Sequence, residues 1–218
     1  SYSSLMERSA AHFSFKEALV QLPRGAPLGM EILAAHGITA KRASALVRSG
    51  WLLRLGRAAY GLPGDTLQRD ACLAFLAQQV QGLHVAGKTA LAWRGVRHNL
   101  AYRETVVLWG DQPARLPRWL DGVVAVRYRV AHIFAADLPA GLGLAPLAGG
   151  HPGLPVSAPE RALLELLSET GSFEGLEEVR QLVESTRNLR LPLLDELLGH
   201  LTRIKVVRLA ARLASELE

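Results

Sequence analysis

Five cations stand between Glu31 and Asp65 with no carboxylate among them: Lys41, Arg42, Arg48, Arg54 and Arg57. Guanidinium and ammonium groups gathered without counter-charges suit a polyanion, and the interleaved hydroxyls of Thr39 and Ser44 can bond phosphate oxygens and base edges. Arginine also makes bidentate pairs with phosphate and with guanine. The chemistry on offer is recognition of double-stranded DNA. A second stretch offers a different chemistry. Gly82 to Thr89, GLHVAGKT, fits G-x-x-x-x-G-K-[ST], the pattern whose backbone N–H groups and lysine cradle the phosphates of a nucleotide.

The cations need elements to hold them on one surface. Leu28 to His36 carries Leu28, Ile32, Leu33 and Ala35 at helical spacing, and Gly37 ends that run where a positive φ is wanted. Thr39 can cap a second helix, Thr39 to Ser49, whose apolar stripe is Ala43, Leu46 and Val47. Lys41, Arg42, Ser44 and Arg48 lie off that stripe, and Gly50 stops the helix. Two β-like runs follow, Trp51 to Leu55 and Ala58 to Leu62, turning at Gly56-Arg57. The reading is a helix-turn-helix with a two-stranded wing, its second helix entering a major groove and Arg54 and Arg57 following the backbone or a narrow groove.

The phosphate motif lacks its setting. A nucleotide-binding loop leaves a buried parallel strand, whereas the run before Gly82, AFLAQQVQ, reads as a helix end, and no series of βαβ units surrounds it. Val106 to Asp111, VVLWGD, imitates the strand that would hold magnesium and keeps nucleotide binding as the alternative reading. Otherwise Gly87-Lys88-Thr89 starts the short helix TALAWRGV.

The 218 residues are 49% hydrophobic and 21% charged, the balance of a globular chain. Net charge is +5, unevenly spread: residues 1–104 hold 13 Lys and Arg against 6 Asp and Glu, and residues 105–218 hold 12 against 14. A basic front on a near-neutral back points the first half at the polyanion. Cys72 is the only cysteine, which excludes an internal disulfide and a cysteine-based zinc site and fits a cytoplasmic protein. No apolar run reaches membrane-spanning length.

Residues 3–21 read as mostly helical, 67–80 as a helix capped by Asp65 or Thr66, and Thr105 to Trp109 and Val123 to Val130 as strands, with Leu142 to Leu147 a weaker one. Arg127 and Arg129 fall on one side of the second strand, an open face by default. Ser157-Ala158-Pro159-Glu160 fits a capping box opening a helix with the stripe Ala162, Leu163, Leu166 and Leu167. Helices follow at 173–187, 192–200 and 202–216, the last with Arg203, Lys205, Arg208 and Arg212 among apolar residues. The class is α+β: a winged helix-turn-helix over residues 1–80, then a mixed domain over 81–218 that is β-containing from 100 to 157 and helical from 158. The seven histidines show no metal-ligand spacing, and no nucleophile, base and orienting group assemble in the sequence. The expectation is a protein without catalytic residues, metal or cofactor.

Four stretches together carry a resemblance: ITAKRASALVRSGWLLRLGRAAYGLPG, HVAGKTALAWRGVRHNL, VSAPERALLELLSE and TRIKVVRLAARLASEL. Their order and spacing resemble the AbiEi-type antitoxins and transcriptional regulators of type IV toxin–antitoxin, abortive-infection systems. The resemblance implies an autorepressor that binds inverted repeats in its own promoter and a C-terminal domain supplying antitoxicity. It also implies a cognate nucleotidyltransferase-like toxin, countered without a stable complex; direct gripping of that toxin by the C-terminal helices is the other possibility. The site residues it carries over are Thr39, Lys41, Arg42, Ser44, Arg48, Arg54 and Arg57.

Overall fold

The computed structural model describes residues 17–96, 105–170, 173–186 and 189–217. They fall into two compact units, one ending at Phe75 and one beginning at Leu76. Of the helix expected over 3–21, only residues 17–21 are described, and they are helical.

In the first unit, Leu28–Gly29 (β1) leads directly into helix α1, Met30–Ala35. Apolar spacing places Leu28 inside that helix. It is instead extended and fully buried, paired with Tyr60 across the sheet. Two residues of strand carry no periodicity, so pairing with a distant partner decides the outcome. Gly37 takes a φ of +71° after the helix, and Ile38 N–H returns to Leu33 O at 2.8 Å. Helix α2, Ala40–Arg48, follows, capped by Thr39, whose hydroxyl accepts the Arg42 N–H. Gly50, with a φ of +76°, ends it.

Strands β2 (Leu53–Gly56) and β3 (Ala59–Gly61) form the hairpin, and β3 lies between β1 and β2 in an antiparallel sheet. The wing is therefore anchored by a third strand that the sequence does not reveal. The β2–β3 register slips between Arg54 and Gly56, so Leu55 is an extra residue that bends the strand. Leu22, Leu28, Leu33, Ile38, Ala43, Leu46, Leu52, Tyr60 and Leu62 make one core beneath helices and sheet. Two helices joined at Gly37 and followed by an antiparallel hairpin keep the order expected from the sequence.

Helix α3, Arg69–Ala77, carries Cys72 at 0% exposure. Asp65 does not stand free to cap it: its carboxylate accepts Gly25 N–H at 2.9 Å and pairs with Arg24. Burial pushes the Cys72 thiol up to about 11. A thiol so placed is neither ionised nor reachable at neutral pH, so it will resist iodoacetamide in the native protein and react once denaturant is added, as mass spectrometry would show.

The second unit is a mixed five-stranded sheet in the order β6-β5-β4-β8-β7. Its strands are β4 (His84–Val85), β5 (Thr105–Gly110), β6 (Ala125–Val130), β7 (Leu144–Ala145) and β8 (Val156–Ser157). A 3-10 turn, Arg118–Gly122, precedes β6. Helix α4, Gly87–Trp93, and helix α5, Pro159–Glu169, pack together. Residues 162 to 168 of α5 are all buried, so it is a central helix covered all round rather than one with a single stripe. Helices α6 (Phe173–Ser185), α7 (Leu191–Gly199) and α8 (Ile204–Leu217) complete the unit, with Pro192 inside the first turn of α7 rather than in a preceding turn. Overall the chain is α+β.

Candidate nucleic-acid interface

Helix α2 has one face in the core and one in solvent. Ala43 and Leu46 are buried, while Lys41, Ala45 and Arg48 are exposed at spacings of four and three, which places them in one row on the outer face. Thr39 is exposed at the N-terminal end of that row, and its hydroxyl is engaged as the cap. Arg42 and Ser44 flank the row and are half-buried, and the Ser44 hydroxyl donates to Ala40 O at 3.1 Å. The cations are thus not equivalent: Lys41 and Arg48 face outward, and Arg42 is drawn toward the protein. Ala45 lies between Lys41 and Arg48 in the row. A pattern of polar residues alone passes over its methyl, although counting four on from Lys41 finds it. A methyl on such a face can meet the C5-methyl of thymine.

Arg54 and Arg57 are exposed on the wing. The Arg54 guanidinium lies 5.8 Å from the ring centroid of its cross-strand partner Tyr60, a cation–π contact that limits where the side chain can swing. Arg57 is in the hairpin turn beside Ala58, which takes a positive φ of 53°. An outward helix row and a wing, both cationic, follow the same three-stranded scaffold.

The phosphate-type motif folds otherwise. Residues 84–85 within it are a strand, and β4 pairs antiparallel with β5, His84 opposite Trp109 and Val85 opposite Leu108. The two strands that would have launched a phosphate loop and held magnesium therefore run in opposite directions. Thr89, which would ligate the metal, is buried and accepts Val107 N–H at 3.0 Å. The Gly87 N–H is taken at 2.9 Å by the Glu165 carboxylate. The anion at this turn is one of the protein's own.

Glu165 is the centre of a buried polar cluster. Its side chain has 0% exposure, and it accepts from Ser157 Oγ at 2.9 and 3.0 Å, from Arg161 Nε at 3.0 Å and from Gly87 N–H, with His84 Nε2 at 3.0 Å. Burial pushes the carboxyl upward, but His84, Arg161 and the Gly87 N–H outweigh it and hold Glu165 below the usual carboxylate value. A hydroxyl, an imidazole and a carboxylate meet here, yet not as a nucleophile and its base. Serine bonds the carboxylate instead of the histidine, and the other ring nitrogen of His84 faces Gly82 O at 2.7 Å. The cluster ties β4, β8, α4 and α5 together.

It also overturns the expected capping box. Ser157 belongs to β8, the residue at the helix N-cap is Ala158 with no side-chain bond, and the Ser157 hydroxyl goes to Glu165. Glu160 instead binds Arg190, through the backbone N–H at 2.7 Å and through the guanidinium. The face expected to be open at Arg127 and Arg129 is exposed, with side chains at 63% and 38%, and the two arginines also have a partner there. Both reach the Glu169 carboxylate on α5 at 3.3 Å, and Arg129 also lies over the Trp109 ring. Helical and strand periodicity place these residues on faces but cannot name a partner far away in sequence.

Among the described residues no helix is long and apolar enough to cross a membrane, and no three His, Cys, Asp or Glu side chains are grouped to hold a metal.

Comparison with known proteins matches the chain in two stretches that meet at residue 102, within the second compact unit. Residues 11–102 match the family described as transcriptional regulator, AbiEi antitoxin N-terminal domain. Residues 103–218 match that of transcriptional regulator, AbiEi antitoxin, type IV TA system. No curated protein matches the chain. The fold is similar to the crystal structure of the RV2827C protein from Mycobacterium tuberculosis, with a TM-score of 0.53 and 21% identity over 92% of this chain and 74% of that one. With both of its parts matched, the chain belongs to the AbiEi antitoxin family, the transcriptional regulators of type IV toxin–antitoxin systems.

Proposed function

We propose that this chain is a DNA-binding autorepressor and an antitoxin acting in the cytoplasm. Residues 1–80 form the DNA-binding domain and residues 81–218 the antitoxin domain. The reading rests chiefly on the outer face of α2, where Lys41 and Arg48 stand exposed in a stretch free of carboxylates. In this reading α2 enters the major groove, with Thr39, Lys41, Arg42 and Ser44 near base edges and flanking phosphates. Arg48 meets phosphate a turn further on, and Arg54 and Arg57 hold the backbone or the minor groove beside it. The target is a pair of inverted repeats in the chain's own promoter. The toxin is a nucleotidyltransferase-like enzyme whose effect is countered without a lasting complex.

One experiment addresses both halves. The promoter is fused to a reporter and expressed with and without the chain, and the toxin is induced in the same cells. Repression that requires the repeats, together with rescued growth and no co-purification of the toxin, is the expected result. A reporter indifferent to the chain would refute autorepression, and a tight co-purifying pair would refute indirect antitoxicity.

A further inference from the structure

The outer face of α2 has a residue without a polar group at its centre. Ala45 is exposed, on the side of the helix turned away from the fully buried Ala43. Its neighbours on the helix surface, one turn before and one turn after, are Lys41, Arg42, Arg48 and Ser49. A methyl group therefore sits inside a ring of four polar side chains, three of them cationic. Lys41, Arg48 and Ser49 are exposed with it, and Arg42 is half-buried.

The hydroxyls near this face are engaged by the helix itself. Ser49 Oγ donates to Ala45 O at 3.1 Å and to Leu46 O at 3.2 Å. Ser44 Oγ donates to Ala40 O at 3.1 Å, and Thr39 Oγ accepts the Arg42 N–H at 3.3 Å. The short side chain left at the centre of the face is apolar.

Side-chain length decides what each residue can meet. Lysine and arginine reach outward to the phosphates that wall a groove, while alanine meets only what lies directly beneath the helix. Beneath a helix seated in a major groove are base edges. Alanine offers them no hydrogen bond, so a donor or acceptor pressed against it would lose its water without replacement. The C5-methyl of thymine is the apolar group that the four bases present there.

We infer that Ala45 is a specificity-determining residue, whose methyl packs on the C5-methyl of a thymine in the target half-site. The inference rests on the reading of α2 as the helix that enters the major groove, and it names a base that this helix selects.

Alanine is also the strongest helix former, so the test separates base contact from helix propensity. Promoter-repeat duplexes are made in which one thymine at a time gives way to deoxyuridine, which lacks the C5-methyl and keeps every hydrogen-bonding group. Each is titrated with the full chain by fluorescence anisotropy. At one position per half-site the parent chain should bind the uracil duplex about fourfold more weakly, the worth of one methyl group removed from water. Ala45→Gly should bind both duplexes of that pair alike, within about 1.5-fold. Any loss of helix stability in Ala45→Gly weakens both duplexes equally and drops out of the ratio. Ala45→Gln, a good helix former whose longer amide holds the helix off the base, should lose the uracil penalty as well. Two results would overturn the inference. One is the absence of any thymine at which uracil weakens binding by the parent chain. The other is a penalty that persists in either variant, which would make it a property of DNA shape. A parent chain that binds the repeat no better than a scrambled duplex would instead refute the repressor reading itself, and the inference with it.

Discussion

Lys41→Ala/Arg48→Ala should bind the promoter repeat of the proposed function about 100-fold more weakly than the parent chain in a gel-shift titration at physiological salt. Two exposed cations on the outer row of α2 are removed, and no core residue is touched. Each cation withdrawn from a phosphate forfeits the release of nearly one counterion, and a bidentate base pairing adds ~1–3 kcal/mol of discrimination. Arg115→Ala, which neutralises an exposed arginine of the second unit, should change affinity by no more than about twofold, since nonspecific charge acts weakly when screened. Equal losses in the two proteins would mean that net charge, not this helix face, drives binding. Arg42→Ala should fall between them, because the half-buried Arg42 also contributes to packing.

The second large effect is on stability. Glu165→Ala strands His84, Arg161 and Ser157 around an empty buried position, and breaking a buried pair in this way costs about 3–5 kcal/mol. Thermal unfolding of the second unit should drop by roughly 10 °C, whereas the first unit keeps its own core. The pH dependence has a definite sign. The folded carboxyl is held below its ordinary value of 4.5, so the unfolded chain takes up the proton first as pH falls. The contribution of the ionised group is complete above that value and disappears as pH drops through the lower, folded one. The gap in melting temperature between the parent chain and Glu165→Gln should stay level from neutral pH down to about 5, then close below about 4. A gap that widened with acid would contradict the assignment of Glu165 as an ionised, bonded group.

Most of the first unit is legible in the sequence because its signals are local. Gly37, Thr39 and Gly50 mark the two helix ends and the cap. The apolar spacing of Ala43 and Leu46 tells inside from outside, and the lack of carboxylates from 32 to 64 needs no geometry. What escapes depends on distant pairing. Leu28–Gly29 is a strand only because Tyr60 and Ala59 stand beside it. Ser157 reads as a cap until Glu165 takes its hydroxyl from one helical turn or more away, with His84 arriving from far along the chain. Arg127 and Arg129 alternate outward in sequence, but the end of α5 brings Glu169 over that side of the sheet. The phosphate-type motif is the reverse case. Its letters agree with a nucleotide site and its context does not, and the antiparallel pairing of β4 with β5 follows the context.

The most direct measurement is the salt dependence of promoter binding for the parent chain and for a variant with Lys41, Arg48, Arg54 and Arg57 all changed to alanine. Plotted as log affinity against log salt, the parent line should be steeper by about 3–4, close to 0.9 for each cation removed from phosphate. Parallel lines would show that these four side chains touch no DNA and would contradict the account.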